Sequence, residues 1–364
     1  MNRAKGVRMA GVRKRGEAIR QYILANVQQH STHIAALTSE EFSISRQAVN
    51  KHIKRLLDQG LIAASGSRRH RTYKLASILR WESDYEITST IAEDVVWDID
   101  ISNKISDLPS NAKDIWYYGF TEILNNAIDH SSGQKVWIGI DRTAIDTSIY
   151  IVDDGVGIFK KIKTELNLED ERQAVLELAK GKVTTDPENH SGQGIFFTSR
   201  MLDSFAIMSE DIVFSHQVGN EDWIANKKDI AGIESLPSTE GTLVVMSLAN
   251  NTARTDKQVF DEFSADIEDG YGFIKTNVPV RLAQYGSEKL ISRSQGKRLV
   301  AGLDKFKTII LDFADVEAIG QAFADEVFRV FANKHPEIEI RSLNRSLEVE
   351  KMILRAASEN RDLG

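Results

Sequence analysis

Cysteine is absent from the 364 residues, which removes disulfides, thiolate metal sites and a cysteine nucleophile from consideration. Long apolar runs are missing too: none approaches the roughly 18 residues of a membrane span, so a transmembrane protein is excluded. The first twenty residues, MNRAKGVRMAGVRKRGEAIR, are basic but carry no apolar stretch and no small-residue cleavage site, and do not read as a secretory signal. A cytoplasmic protein without a membrane partner is therefore expected. What is present is ordinary globular material, 41% hydrophobic and 27% charged. The length exceeds the roughly 250 residues at which single cores stop growing, so three domains are expected.

The net charge of -7 conceals an asymmetry. Residues 1–75 hold 15 Lys and Arg against 4 Asp and Glu, a balance of +11, which leaves 31 basic and 49 acidic residues, a balance of -18, for the rest. A basic head on an acidic body is the footprint of a nucleic-acid-binding module joined to something else.

In the head, Ile19, Ile23 and Val27 recur at helical spacing, a short helix is expected around Ile34–Leu37, and a third helix follows Ser45, a suitable N-cap. Val49, Ile53, Leu56 and Leu57 make its buried stripe. Arg46, Gln47, Asn50, Lys51 and Lys54 point outward, long donors able to reach base edges and phosphates in a major groove. Gly60 ends the helix, and LIAASGSRRHRTYKL reads as two short strands around Gly66, with Arg68, Arg69 and Arg71 at the tip or on the second strand. The order of elements over roughly residues 13–76 resembles the winged helix-turn-helix of bacterial regulators, which implies DNA as a partner. The same fold also serves as a protein-docking module.

Residues 77–109 read as a connector, with Ser110 as cap of the helix that follows. That helix, AKDIWYYGFTEILNNAIDHS, sets Glu122, Asn126, Asp129 and His130 on one face and Phe120, Leu124 and Ile128 on the other. A carboxylate one turn from an asparagine suits metal-nucleotide chemistry, although an exposed acidic face has the same pattern. Two alternating strands, Val136–Ile140 and Ser148–Val152, run into Asp153-Asp154-Gly155-Val156-Gly157, where glycines permit a sharp turn and a strand-end Asp can accept an amine. Further on, Gly192 and Gly194 precede a helix, and amides at a glycine-rich helix start can cradle phosphate. No GxxxxGK[ST] is present, so a Walker-type loop is excluded. Gly241-Thr242 open the strand TLVVMSL, with the Thr242 hydroxyl placed to support the Asp through a water.

These four pieces, in this order and spacing, resemble the Bergerat-fold (GHKL) ATPases, the superfamily of gyrase and the histidine kinases, over roughly residues 110–250. EILNNAID is similar to the family's asparagine box. The resemblance implies an α/β-sandwich, with ATP and Mg²⁺ as cofactors. It makes Glu122 the general base, Asn126 the Mg²⁺ ligand, Asp153 the adenine reader, Gly155 and Gly157 the first glycine box, and Gly192 and Gly194 the second. Asp129 and Thr242 join the nucleotide-binding set. It also makes Phe159–His190 a lid, expected to hold one helix, with Lys180 or Lys182 near a γ-phosphate or simply solvated. No histidine lies in residues 77–121, so a phosphoacceptor for histidine kinase activity is missing.

After a second connector, residues 251–277 with a helix at Lys257–Ile267, strands and helices alternate: Ser292–Leu303 helix, Thr308–Phe313 strand, Phe323–Phe331 helix, Ile338–Leu343 strand, Ser346–Ala357 helix. Residues 278–364 resemble a STAS-like domain of unknown function at the C-terminus of bacterial multidomain proteins. Where STAS antagonists place a phosphorylatable serine, this chain has Ile319-Gly320-Gln321-Ala322-Phe323, with no hydroxyl. Gly320 and Gln321 are expected to meet a partner or the ATPase domain, and Asp325-Glu326 to be an exposed, solvated face. The fold expected is multidomain: winged helix, Bergerat sandwich, small α/β domain. Two functions fit: a regulator coupling MgATP to DNA binding, or a serine/threonine kinase or ATPase acting on a separate STAS-type or sigma-factor-like partner. A homodimer is the default assembly.

Overall fold

The computed structural model describes residues 2–67, 70–88, 90–183, 192–220, 222–231, 233, 240–264, 272–284 and 288–358, the first twelve of them by backbone alone. They are multidomain α/β, divided into two compact units. The first comprises residues 1–82, 139–149 and 249–251, and the second residues 83–138, 150–248 and 252–364.

The first unit begins with three helices, α1 (Asn2–Asn26), α2 (Ile34–Glu41) and α3 (Arg46–Asp58). Ser45 caps α3 by accepting from the Ala48 amide at 3.2 Å, the role its side chain and position foretold. Gly60 follows in the left-handed region, φ 68°, and turns the chain into β1 (Ile62–Ser65). Strand β2 (Thr72–Leu75) returns antiparallel, Ile62 opposite Leu75. The turn between them demands glycine: a Cβ on Gly66, φ 79°, would lie 2.2 Å from the His70 carbonyl oxygen. Ile19, Ile23, Val27, Ile34, Val49, Ile53 and Leu56 close one core, and Leu57 is half-buried against it.

Residues 77–109 are more than a connector. They form β3 (Leu79–Glu86), a short helix α4 (Glu93–Val96), and π and 3-10 turns to Ile105. The strand LRWESDYE alternates half-buried and exposed residues along its length. It is followed by α5 (Ser110–His130), in which Ser110 is the first helical residue and Pro109 holds the cap position without a side-chain bond. Then come β4 (Lys135–Arg142), β5 (Asp146–Asp153), α6 (Ile158–Glu165), α7 (Glu171–Lys180), α8 (Gly194–Met201), β6 (Ser204–Ser209), β7 (Ile212–Gln217), β8 (Trp223–Asn226) and β9 (Thr242–Ala249). The sheet order is β3-β4-β5-β9-β6-β7-β8, and β9, β6, β7 and β8 pair antiparallel. The stretch after Gly157 folds as two helices instead of the one expected, because Asp170 accepts from the Arg172 and Gln173 amides and starts α7 afresh.

The second expected connector holds α9 (Asp256–Phe263), begun by a Thr255–Gln258 capping box, and β10 (Lys275–Pro279). Helix α10 (Arg293–Val300), β11 (Thr308–Asp312), α11 (Gln321–Asp325), a π-turn, α12 (Ala332–Lys334), β12 (Glu339–Leu343) and α13 (Leu347–Ser358) complete the chain. Strands β10, β11 and β12 form a separate parallel sheet in sequence order. Asp325 and Glu326, expected to be exposed, are buried. The cause is helix packing, since a Cβ on Gly296 of α10 would lie 2.9 Å from Glu326 Cβ, and charge pairing offsets the cost: Arg329 clasps Asp325 and holds its carboxyl below the usual range, while Arg293 approaches Asp325 and Glu326 at 3.5 Å each. Gly320 packs against Ile291, whose Cα lies 2.7 Å from where a Cβ would stand.

Candidate functional site

Helix α5 crosses the second unit with Ile115, Trp116, Phe120, Ile123 and Leu124 buried. That burial fixes its rotation and turns Glu122, Asn126 and His130 toward a cavity of about 290 Å³. Asp153 and Gly157 at the end of β5, Gly192 and Gly194 at the start of α8, and Thr242 at the start of β9 line the same cavity. Ile151, Ile162, Leu178, Val183 and Val244 supply its apolar wall.

The polar groups are held individually. Asn126 Nδ2 donates to the Glu122 carbonyl at 2.7 Å, which commits the amide nitrogen and leaves Oδ1 outside that bond. Glu122 lies against Gly194: a Cβ there would stand 1.9 Å from Glu122 Oε2. The half-buried Tyr118 hydroxyl is pushed up by its desolvation and by the Glu122 charge. Asp153 is 7% exposed, and its Oδ1 accepts from the Gly155 amide at 2.9 Å and the Thr242 amide at 3.3 Å. Burial pushes the Asp153 carboxyl up, and those amides oppose the shift. Thr242 thus supports Asp153 directly, and its Oγ1 accepts from the Ile158 amide at 3.0 Å. Gly155 carries no lining surface of its own. It is required because a Cβ would lie 2.1 Å from the Ser131 carbonyl oxygen.

Three expected site residues sit elsewhere. Asp129 is exposed and is not among the lining residues. Lys180 is almost fully buried and donates to Glu177 Oε1 at 2.6 Å and to the carbonyls of Arg298 and Ala301 at 3.0 and 2.9 Å. Lys182 donates to the Lys305 carbonyl at 2.7 Å and lies over the Phe306 ring. Burial pushes both ammonium groups below their usual range. They fasten the C-terminal end of α7 to α10 and the turn after it, and Thr276 adds a bond to the Lys180 carbonyl at 2.6 Å. One cation was missed: Lys161 lines the cavity and donates to the His130 carbonyl at 2.7 Å. The signal was its position one turn after Gly157, on the inner face of α6.

In the head, Arg46, Gln47, Asn50, Lys51 and Lys54 are all exposed along α3, and Arg71 is exposed beside the Tyr73 ring. Arg68 and Arg69 lie outside the described residues, as does the end of the expected lid, residues 184–190.

A family model, the STAS-like domain of unknown function (DUF4325), matches residues 295–352. The chain therefore carries a STAS-like domain over α10 to α13. No curated protein and no solved structure matches the chain. Among the described residues, no helix is long and apolar enough to cross a membrane.

Proposed function

We propose that this chain is an ATP-responsive DNA-binding regulator, in which a Bergerat-type site in residues 110–250 binds MgATP and the winged helix of residues 1–76 holds DNA. The observation that carries the reading is that Glu122, Asn126, Asp153, Gly157, Gly192, Gly194 and Thr242, from four separated stretches, line one cavity. The three-helix head ending in a two-stranded hairpin, with five polar donors exposed along α3, supports the DNA assignment.

On this reading Asp153 accepts the adenine amine, and the apolar wall holds the base between Ile162 and Val244. The amides before α8 receive phosphate oxygens. Asn126 Oδ1 is the residue that would hold Mg²⁺, a hard cation that takes oxygen ligands and neutralises phosphate charge when bound. Glu122 orients a water and takes its proton. Lys180 and Lys182, committed to backbone carbonyls, tie the lid to the STAS-like domain, so that domain bears on the cavity's closure.

Regulation requires ATP to bind two states with different affinity, since equal affinity shifts nothing. Fluorescence anisotropy of the protein on duplex DNA, with and without MgATP, tests the coupling. A change in DNA affinity is expected, and identical titrations contradict it. A second reading keeps the site and changes its output: a serine/threonine kinase or ATPase acting on a separate STAS-type partner. The carboxylate of Glu122 against the α8 start favours it, because a base is superfluous in a pure sensor. Transfer of label from ATP to a lysate protein distinguishes a kinase, and free phosphate an ATPase.

A further inference from the structure

A second cavity, of about 390 Å³, has no part in that chemistry. It sits at the carboxyl ends of β10 and β11, the edge of a parallel sheet where α/β proteins place ligands. Pro279 is opposite Asp312 in the register, so Asn277, two residues earlier, shares the face of Asp312. Both present acceptors. Asn277 Oδ1 is buried without a hydrogen-bond partner among the described residues, which costs stability unless something donates to it. Asp312 accepts from the Ala314 amide at 3.0 Å and from Asn344 at 2.8 Å, both on Oδ1, and neither bond uses Oδ2.

Donors line the same cavity. Arg254 gives bonds to the Met201 carbonyl at 2.7 Å and Asp203 at 3.0 Å, both through Nη1, and neither takes its other guanidinium nitrogens. Arg281 stands at the turn after β10 and meets Asp315 at 2.9 Å. A third arginine, Arg200, is spent internally: with His216 it holds the buried Asp222, whose carboxyl burial would raise and these partners keep low. That cluster makes a charge-balanced floor. The cavity thus offers guanidinium donors beside the carboxylates of Asp312 and Glu262 and an unsatisfied amide oxygen, in a volume that suits a small polar molecule.

We propose that this cavity binds a free α-amino acid, its carboxylate on Arg254 and Arg281 and its ammonium on Asn277 Oδ1 and Asp312 Oδ2. A plain anion satisfies only the arginines and a plain amine only the acceptors. The ligand would sit between the STAS-like sheet and α9, and so load the same body that holds the lid.

The test uses the full chain, with thermal melting and calorimetry against each common L-α-amino acid at millimolar concentration. At least one is expected to bind, while its deaminated acid and its decarboxylated amine, sharing the side chain, bind at least tenfold more weakly. Asp312→Asn keeps the Oδ1 acceptor that Ala314 and Asn344 use, so the fold survives, and affinity is expected to fall at least tenfold. Asn277→Leu is expected to abolish binding and to leave the melting temperature at or above wild type, because it removes an unpaired polar atom. Glu122→Ala is expected to bind the amino acid as wild type does, which separates this site from the nucleotide reading. The proposal is overturned if no amino acid binds, if the deaminated acid binds equally well, or if Asp312→Asn binds like wild type.

Discussion

Glu122 and Gly194, 72 positions apart in the chain, touch: a β-carbon on the glycine would stand 1.9 Å from the Glu122 carboxylate oxygen. The glycine at the start of α8 therefore does two things, exposing helix-start amides and leaving room for the acid. Gly194→Ala moves the tip of a flexible side chain, at a rotamer cost of about 0.5–1.5 kcal/mol, so the fold is expected to survive. ATP turnover is expected to fall at least tenfold while nucleotide affinity changes less. Steady-state phosphate release beside a melting curve checks both.

Asp153 gives a pH prediction. Its folded carboxyl titrates above the ordinary aspartate value because it is buried, so ionisation is harder in the folded state than in the unfolded one. The penalty is absent below the unfolded pKa, grows as pH rises to the folded pKa, and is constant above it. Asp153→Asn is accordingly expected to raise the melting temperature at neutral pH, with the gain vanishing toward acid. The same variant is expected to lose about tenfold or more in ATP affinity, about 1.4 kcal/mol. Melts across pH and calorimetry at pH 7 read the two effects, and a destabilised variant at neutral pH contradicts the first.

Lys180 is the bolt between α7 and the STAS-like domain. Removing one partner of a buried ion pair typically costs about 3–5 kcal/mol, and Lys180→Met also leaves the Arg298 and Ala301 carbonyls without their donor. A loss near that range is expected in denaturant unfolding, with Glu177→Gln in the same chain recovering part of it. Lys182→Met, at a less buried position, is expected to cost less.

The exposed face of α3 is testable without knowing an operator. Each lysine or arginine that neutralises a phosphate adds nearly one to the slope of log affinity against log salt. Lys51→Ala and Lys54→Ala are each expected to weaken binding to any duplex and to reduce that slope by about 1. Gln47→Ala and Asn50→Ala are expected to leave the slope unchanged and to alter preference among sequences.

Much of this was legible in the sequence, and the reasons differ by region. Helix α3 announced itself through a capping serine, a clean apolar stripe and a terminal glycine, all local signals. The cavity residues were legible because their motifs are short and contiguous, each a strand or helix end. Strand β3 was missed because Ser83 interrupts the inward apolar series Leu79, Trp81 and Tyr85, and β10 because it is five residues that become a strand only beside β11. Lys180 and Lys182 were misplaced for a related reason: charged side chains near a helix end look solvated until a domain more than a hundred residues later supplies carbonyls. Asp325 and Glu326 looked exposed because the helix that covers them, α10 with Gly296 against the Glu326 side chain, lies thirty residues earlier in the chain. Long-range pairing, absent from any local window, decided each of these.

The cavity around Glu122, Asn126 and Asp153 is proposed as a MgATP site, and the regulatory and catalytic readings both depend on it. Calorimetry of MgATP binding, run together with hydrolysis by wild type, Glu122→Ala and Asn126→Ala, addresses it most directly. Micromolar to millimolar binding by wild type is expected, with Glu122→Ala binding without turnover and Asn126→Ala losing the Mg²⁺-dependent part of the affinity. Absence of nucleotide binding by the folded wild-type chain, or unchanged behaviour of both variants, would contradict the central claim.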